Sequence, residues 1–152
     1  MTPAIRRRCE FLLLVASDPN EKRDQAVVYT MRVLSNHATI GKDALSEPIK
    51  RLNRKMSLKA FERLTTTDWH IFKSTTTNEH PKPLKQIWLW LVANAKTLTA
   101  ERVWQEFVEH QMITVTKEED RAMPKSDGDF NTRYKGIEVI TLDSDPYSYR
   151  KK

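Results

Sequence analysis

Apolar residues recur at helical spacing most regularly in the middle of this chain. Between Leu84 and Ala95 they fall three and four positions apart, which predicts a helix over residues 83–95 with one buried face. Thr99 is placed to cap a second helix, which has its own apolar stripe and ends near His110. Because each apolar face must be buried, we expect the two helices to pack around a continuous core. That core comprises Leu84, Ile87, Trp88, Leu91, Val103, Trp104 and Phe107.

Two runs of β-branched residues follow these helices. Residues 112–116 and 137–142 are strand-like, and about twenty polar residues separate them. The order of elements over residues 83–142 is therefore helix, turn, helix, strand, loop, strand, which is the order of a winged helix. The pattern predicts a mainly α (α+β) fold, a helical bundle with a C-terminal two-stranded β-hairpin in winged-helix-like order.

Residues 1–64 are predicted to be helical and basic. A Thr-Pro pair at the start predicts a helix over residues 3–16, and an Asp-Pro pair predicts a second helix that begins near residue 18 and ends near Asn36. A basic helical segment follows over residues 48–63, within which Ser57 caps a further short helix.

The remaining stretches carry less periodicity. Residues 65–82 are rich in threonine and are predicted to be loop-rich, with one helical turn at residues 68–72. Residues 143–152 are aromatic and basic, and are predicted to be a flexible tail that orders on a partner. A chain of 152 residues with 39% hydrophobic residues suits one well-packed unit, so we predict a single domain over residues 1–152.

Cysteine content and hydropathy narrow the cellular setting. Cys9 is the only cysteine, which excludes an intrachain disulfide and a cysteine-rich zinc site and favours a reducing cytoplasm. The apolar run at residues 11–16 is too short to cross a membrane. We therefore expect a cytoplasmic protein with no membrane partner.

The net charge of +6 is unevenly distributed along the chain. Residues 1–76 carry 14 Lys/Arg against 8 Asp/Glu, whereas residues 77–152 carry 12 of each. The densest run has Glu62 as its only acid and comprises Lys50, Arg51, Arg54, Lys55, Lys59 and Arg63. Such a run is typical of phosphate contacts with steep salt dependence, and equally of a solvated face that keeps a small protein soluble.

In a winged helix, the helix from Thr99 to His110 would be the recognition helix, and its charge argues against a standard winged-helix contact. Its exposed positions offer Glu101, Glu106 and Glu109 against Arg102, and an acidic helix is repelled by phosphates. If nucleic acid is bound, the basic run or the loop of the predicted hairpin is the expected contact. That loop supplies Lys125, Arg133 and Lys135.

One short motif raises the question of catalysis. The segment Glu79-His80-Pro81-Lys82-Pro83 resembles the opening Asp/Glu-His-x-x-Pro of the HNH nucleases. That resemblance implies His80 as a general base and Glu79 as a metal ligand. The alternative is that His80 only orders the start of the following helix through a hydrogen bond. The three glycines are far apart, so no phosphate-binding loop is present and no cofactor is predicted.

The four tryptophans divide into two pairs. Trp88 and Trp104 fit the predicted core stripes, whereas Trp69 and Trp90 do not. Exposed tryptophans often anchor protein interfaces or stack on unpaired bases, so Trp69 and Trp90 are candidate partner-binding residues. The alternative is that they form a second core layer against the N-terminal helices.

A wider resemblance covers roughly the second half of the chain. It rests on Glu79-His80-x-x-Pro83, Ile113–Asp120, Met123-Pro124 and Arg133-Tyr134. These segments resemble small uncharacterised proteins carried by bacterial prophages and plasmids. The resemblance assigns no activity, but it implies an accessory protein of a mobile element that acts as a regulator or as an inhibitor of a host system.

Three hypotheses about function follow. The first is a non-enzymatic protein that binds DNA or RNA through the basic residues named above. The second is a protein that binds and inhibits a host defence or regulatory protein through Trp69 and Trp90. The third is a metal-dependent HNH-like nuclease centred on His80. The sequence leaves the oligomeric state open.

Overall fold

The computed structural model describes residues 1–18, 20, 23–41, 53–124 and 129–152. Within these residues it has eight α-helices and four strands, which confirms the mainly α (α+β) fold. None of the helices it describes has the length and apolarity needed to cross a bilayer. The helices are α1 (Pro3–Ser17), α2 (Gln25–Ile40), α3 (Leu58–Thr66), α4 (Trp69–Thr75), α5 (Leu84–Asn94), α6 (Ala100–Glu109), α7 (Lys117–Ala122) and α8 (Phe130–Arg133). The strands are β1 (Lys55–Ser57), β2 (Thr76–Glu79), β3 (Ile113–Thr116) and β4 (Val139–Thr141), and a 3₁₀ turn covers Pro146–Tyr149.

The chain divides into two compact units, each made from two separate stretches of sequence. The helical unit comprises Met1–Ala44 and Lys82–Gln111, and the sheet unit comprises Leu45–Pro81 and Met112–Lys152. The single domain expected over residues 1–152 stays a prediction.

The helical unit packs α1, α2, α5 and α6 around one apolar core, as their periodicity predicts. All seven predicted core residues belong to it, with Leu84 and Trp104 partly buried at its edge. The first two helices complete it with Ile5, Cys9, Leu12, Ala16, Val27, Met31 and Leu34. Burial raises the pKa of the Cys9 thiol to about 12, so this cysteine is a packing residue and not a nucleophile.

Helix α2 begins and ends later than the sequence predicts. Asp18 accepts a hydrogen bond from the Asn20 backbone N–H at 2.9 Å, which makes a local turn instead of a helix start. Asp24 is the actual cap, and its Oδ1 accepts from the Val27 N–H at 2.9 Å. The helix continues past Asn36 because Gly41, with φ of 76°, provides the left-handed residue that ends it.

The sheet unit has a four-stranded mixed sheet in the order β2-β3-β1-β4. Strand β1 lies between β3, which is parallel to it, and β4, which is antiparallel. Strands β3 and β4 were expected to form a two-stranded hairpin, and that expectation is wrong because β1 separates them. Strand β2 pairs with β3 on its other side.

Both unpredicted strands occupy segments that the sequence assigned otherwise. Strand β1 falls inside the predicted basic helix, of which residues 48–52 lie outside the described part of the chain. Strand β2, together with α4, falls inside the predicted loop over residues 65–82. With three and four residues, these strands are too short to show periodicity, and their pairing with distant strands stabilises them.

Side chains cover the sheet in two separate clusters. One is formed by Met56 with Ala60, Leu64, Phe72 and Leu142, which brings α3 and α4 against the sheet. The other is formed by Ile113, Val115, Met123 and Tyr134. Neighbouring residues of one strand contribute to opposite faces, as the alternation of a strand requires.

The C-terminal tail is packed onto the sheet unit, so the prediction of a flexible tail is wrong. Tyr149 contacts Phe61 with ring centroids 5.5 Å apart, and the Lys151 backbone N–H donates to the Leu64 carbonyl at 3.1 Å. Asp145 caps the 3₁₀ turn by accepting from the Tyr147 N–H. The aromatic residues that suggested an external partner therefore have partners within the sheet unit.

Candidate nucleic-acid interface

Three of the cations predicted to contact nucleic acid line one pocket of the sheet unit, and two of them are exposed. Exposed Lys59 and Lys135 line a pocket of about 380 Å³, which we call the lysine pocket. Arg54, which is exposed, and Lys55, which is half-buried, lie just before α3 and do not line it. The other lining residues are Glu118, Glu119, Ala122, Met123, Arg133, Gly136 and Ile137. Three further predicted contacts, Lys50, Arg51 and Lys125, lie outside the described residues.

The start of α3 positions Lys59. The Ser57 hydroxyl accepts from the Ala60 N–H at 3.1 Å and donates to Glu119 Oε2 at 2.6 Å, which fixes this helix end against α7. Lys59 stands in the first turn of α3, where no acid occurs. The helix N-terminus carries a partial positive charge, so a cation placed there is repelled at a cost of about 0.3–1 kcal/mol. The positive charges of Lys59 and of the helix end therefore add together, and both attract an anion.

A tight turn positions Lys135. The Ile137 N–H donates to the Tyr134 carbonyl at 2.9 Å, and Gly136 adopts φ of 77° between them. The Leu58 N–H donates to the Glu138 carbonyl at 2.8 Å, which ties the segment after this turn to the start of α3. Gly136 is suited to this position because residues with a side chain rarely adopt that conformation.

The two carboxylates at the pocket are held by other groups. Glu118 pairs with Arg63 at 3.1 Å, and a hydrogen bond from its own backbone N–H together with Arg63 lowers its pKa. Glu119 is buried and accepts from the Thr116 N–H at 2.9 Å in a capping box, in addition to Ser57. Arg63 also donates to the Thr75 carbonyl, so its guanidinium has partners within the sheet unit.

Arg133 is not the surface contact that the sequence suggested, because its side chain is 3% exposed. Its guanidinium pairs with Glu79 and donates to the carbonyls of His80 at 2.7 Å, Pro81 at 2.8 Å and Pro124 at 3.0 Å. These bonds hold the segment after β2 against the segment after α7. Arg133 therefore forms a wall of the lysine pocket and does not offer a free charge to a phosphate.

The Glu79-His80 motif has a structural role in this geometry. The Glu79 carboxylate accepts from both Arg133 and the Tyr134 hydroxyl, and all three side chains are buried. Burial raises the pKa of Glu79, against the lowering effect of the bonds from Tyr134 and Arg133, and it raises the pKa of Tyr134 as well. His80 is half-buried and contributes its carbonyl to Arg133. The geometry does not favour the nuclease hypothesis, because Glu79 already has two strong donors.

A different set of residues has the spacing of metal ligands. Among the described residues, Glu106, Glu109 and His110 bring three possible ligand atoms within 4.8 Å of one another on α6. Lys82 and Arg102 already pair with Glu106, the latter at 2.9 Å, and these cations lower its pKa below the usual range despite burial. A divalent ion would have to compete with both cations, so the arrangement is better explained as an ion-pair cluster. The spacing Glu-x-x-Glu-His could have drawn attention to it in the sequence.

The two candidate partner-binding tryptophans are both half-buried. Trp90 packs against the helical core, with the Arg102 and Lys82 charges 5.0 and 5.5 Å from its ring centroid. Trp69 stacks on Phe72 at 5.5 Å in the sheet unit, and Tyr147 and Arg150 of the C-terminal tail contact the same ring at 6.1 and 5.6 Å. Each ring therefore has partners within its own unit.

No family model, curated protein or solved structure matches this chain. The resemblance to prophage and plasmid proteins stays a prediction.

Proposed function

We propose that this protein binds nucleic acid non-enzymatically, with the sugar–phosphate backbone seated at the lysine pocket. The observation that carries the proposal is that Lys59 and Lys135, which come from distant parts of the chain, are both exposed at one concave site. Lysine ammonium groups donate to phosphate oxygens as point charges and read no base sequence. The resemblance to mobile-element proteins supports a role as an accessory protein in such an element.

The surrounding charges support contact with phosphates. Arg63 and Arg133 are paired with Glu118 and Glu79, so each of these pairs adds little net charge. Glu119, which also lines the pocket, accepts from the Ser57 hydroxyl and the Thr116 N–H at its Oε2. Exposed Arg54 adds a positive charge just before α3, and the sequence carries Lys50 and Arg51 a few residues earlier in the chain. Nucleic acid is the polyanion that matches an extended run of this kind.

The test replaces Lys59 and Lys135 together by alanine. We expect weaker binding to DNA and RNA of any sequence, and a slope of log affinity against log salt that is flatter by up to about two contacts. The matched control is Lys85→Ala with Lys96→Ala, which removes the same charge from exposed positions of the helical unit. Thermal melting of both variants checks that the fold survives.

Two results would contradict the proposal. One is failure of the parent protein to bind any nucleic acid at low salt. The other is an equal loss of affinity in the control variant, which would mean that net charge and not the lysine pocket determines binding.

A host-protein inhibitor is the second candidate, because α5 exposes a pair of large apolar residues. Leu89 and Val92 are 57% and 48% exposed and lie three positions apart on one helix face. Apolar side chains on one face are typical of protein interfaces. This candidate predicts a complex that survives high salt and nuclease treatment and is lost in Leu89→Lys.

A further inference from the structure

A shallow groove crosses the helical unit between α1 and α2. Its volume is about 260 Å³, and we call it the arginine groove. The lining residues are Ala4, Arg7, Arg8, Phe11 and Thr30. The four from α1 fall three and four positions apart and so share one helix face, separate from the face that carries Ile5, Cys9 and Leu12 into the core.

The groove combines cations with an aromatic ring. The Phe11 side chain is 36% exposed, so its ring is accessible at the surface of the groove. Exposed Arg7 and half-buried Arg8 lie one turn before it on the same helix face. Arg6, the first arginine of this run, pairs with Glu101 and does not line the groove. The structure therefore directs two of three consecutive arginines to the site of the exposed ring.

We propose that the arginine groove holds one nucleotide of an unpaired strand, with the base against Phe11 and the phosphate against Arg7. The inference rests on the proposed function, since it concerns the same polymer, and it names the class of substrate: single-stranded nucleic acid. The lysine pocket contacts phosphates, which both single and double strands offer. The arginine groove adds the preference between them.

The chemistry explains that preference. A base within a duplex is stacked on both faces and cannot offer one to Phe11, whereas every unpaired base has a free face. The guanidinium of Arg7 is planar and donates two parallel N–H groups to one phosphate, which fixes the nucleotide more closely than an ammonium would. The small side chains of Ala4 and Thr30 leave room for a flat ring in the groove.

An acidic peptide is the competing occupant, because it too would pair with arginines and pack on a phenylalanine. The observations favour the nucleotide, since an aromatic face beside a fork of N–H donors matches a base with its phosphate. The peptide is therefore included as an arm of the test.

The experiment measures binding of the full chain to an oligothymidylate of about 15 nucleotides and to a duplex of equal length. Phe11→Leu keeps apolar volume and removes the flat ring. We expect it to weaken single-strand affinity about tenfold and to leave duplex affinity unchanged. Arg7→Ala should flatten the single-strand salt slope by about one contact. The matched control is Tyr29→Leu, which removes a 66% exposed aromatic ring of α2 that does not line the groove and should change neither affinity.

The outcomes separate the two proposals. If Phe11→Leu binds the oligothymidylate as the parent does, while Lys59→Ala with Lys135→Ala loses affinity for both polymers, the groove inference is overturned and the proposed function stands. If polyglutamate displaces the oligothymidylate and its own binding depends equally on Phe11, the groove is a peptide site and the inference is also overturned. If the parent binds neither polymer, the proposed function itself fails.

Discussion

The two units of this protein bury different kinds of side chain. The helical unit has an apolar core in which α1, α2, α5 and α6 meet, and the one charged side chain that it buries among the described residues, Glu106, pairs with Lys82 and Arg102, which are themselves partly exposed. The sheet unit has apolar clusters too, but it also buries Arg133 with Glu79 and Tyr134, and Glu119 with Ser57. Apolar contacts are non-directional and tolerate a change of shape, whereas a buried charge needs every partner in place. We therefore expect the two units to respond differently to equally conservative substitutions.

The same difference bears on the two proposed contacts. The walls of the lysine pocket are held by directional bonds of Arg133 and Glu119, so its shape depends on buried polar groups. The arginine groove lies on the outer faces of helices whose core is apolar. Substitutions in the pocket wall therefore affect folding and binding together, whereas Phe11 and Arg7 can be changed without disturbing a core.

The largest effect is expected for Arg133→Ala in the sheet unit. The substitution leaves the Glu79 carboxylate buried without its cation and removes donors from three backbone carbonyls. We expect the free energy of unfolding to fall by about 5 kcal/mol or more, measured by urea denaturation. Arg121→Ala, at an exposed position of α7, should change it little. An equally small effect for both would show that the Arg133 bonds do not stabilise the sheet unit.

The corresponding change in the helical unit is Phe107→Ala, at a residue that is 1% exposed. Removal of the ring leaves a cavity and should cost about 3 to 5 kcal/mol in the same measurement. Phe107→Leu should cost less than about 1.5 kcal/mol, because the apolar core can repack around it. Arg133→Lys should show no such tolerance, since an ammonium cannot reach the four acceptors of the guanidinium. If Phe107→Leu and Arg133→Lys lowered the free energy of unfolding equally little, the two units would not differ in their tolerance of conservative substitutions.

Two helix caps provide a smaller and closer test. Thr99 caps α6 of the helical unit through an exposed bond to the Arg102 N–H at 3.3 Å. Ser57 caps α3 of the sheet unit and also donates to buried Glu119. Thr99→Ala should cost about 1 kcal/mol and Ser57→Ala about 2 kcal/mol, because the second also removes a bond to a buried carboxylate. Thermal melting of the two variants measures the difference, and a larger loss for Thr99→Ala would refute the added role of Ser57.

The smallest effect is expected in the acid limb, by which we mean the fall in the free energy of unfolding as the pH is lowered below neutrality. The pKa of Glu106 is lowered below its ordinary value of 4.5 by Lys82, His110 and Arg102, against the effect of burial. The unfolded chain therefore binds more protons than the folded one just below pH 4.5, so this stabilisation is present above that pH and is lost as the pH falls. Glu106→Gln should flatten the acid limb in urea titrations at several pH values. The pKa of Glu79 is raised by burial, so its contribution has the opposite sign. An unchanged acid limb in Glu106→Gln would show that another carboxylate determines it.

Local patterns predicted the helical unit well. The predicted helices over residues 3–16 and 83–95 agree with α1 and α5 within one or two residues, and Thr99 caps α6 as expected. The start of α2 was missed because two Asp residues, Asp18 and Asp24, compete as caps, and only the second has a helix behind it. Helical periodicity and capping are contained within about four residues, so they can be seen in the chain itself.

The sheet unit could not be predicted in the same way. Strand β1 has three residues and is stabilised by pairing Met56 with Thr114 on one side and Ile140 on the other. The sequence likewise did not show which cations face solvent. Arg63 and Arg133 pair with carboxylates about fifty residues away along the chain, and such distant pairs cannot be recognised from a local pattern. The number of basic residues in a segment therefore did not distinguish paired arginines from exposed lysines.

The helices of the helical unit, its apolar core and the excess of basic residues can all be predicted from local patterns in the sequence. The strand order, the burial of Arg133 and the presence of Lys59 and Lys135 at one pocket depend on tertiary contacts and could be seen only in the folded structure. The reason is physical. Helices are specified by hydrogen bonds and side-chain contacts within one or two turns, whereas a mixed sheet and a buried ion pair depend on partners that folding brings from distant parts of the chain.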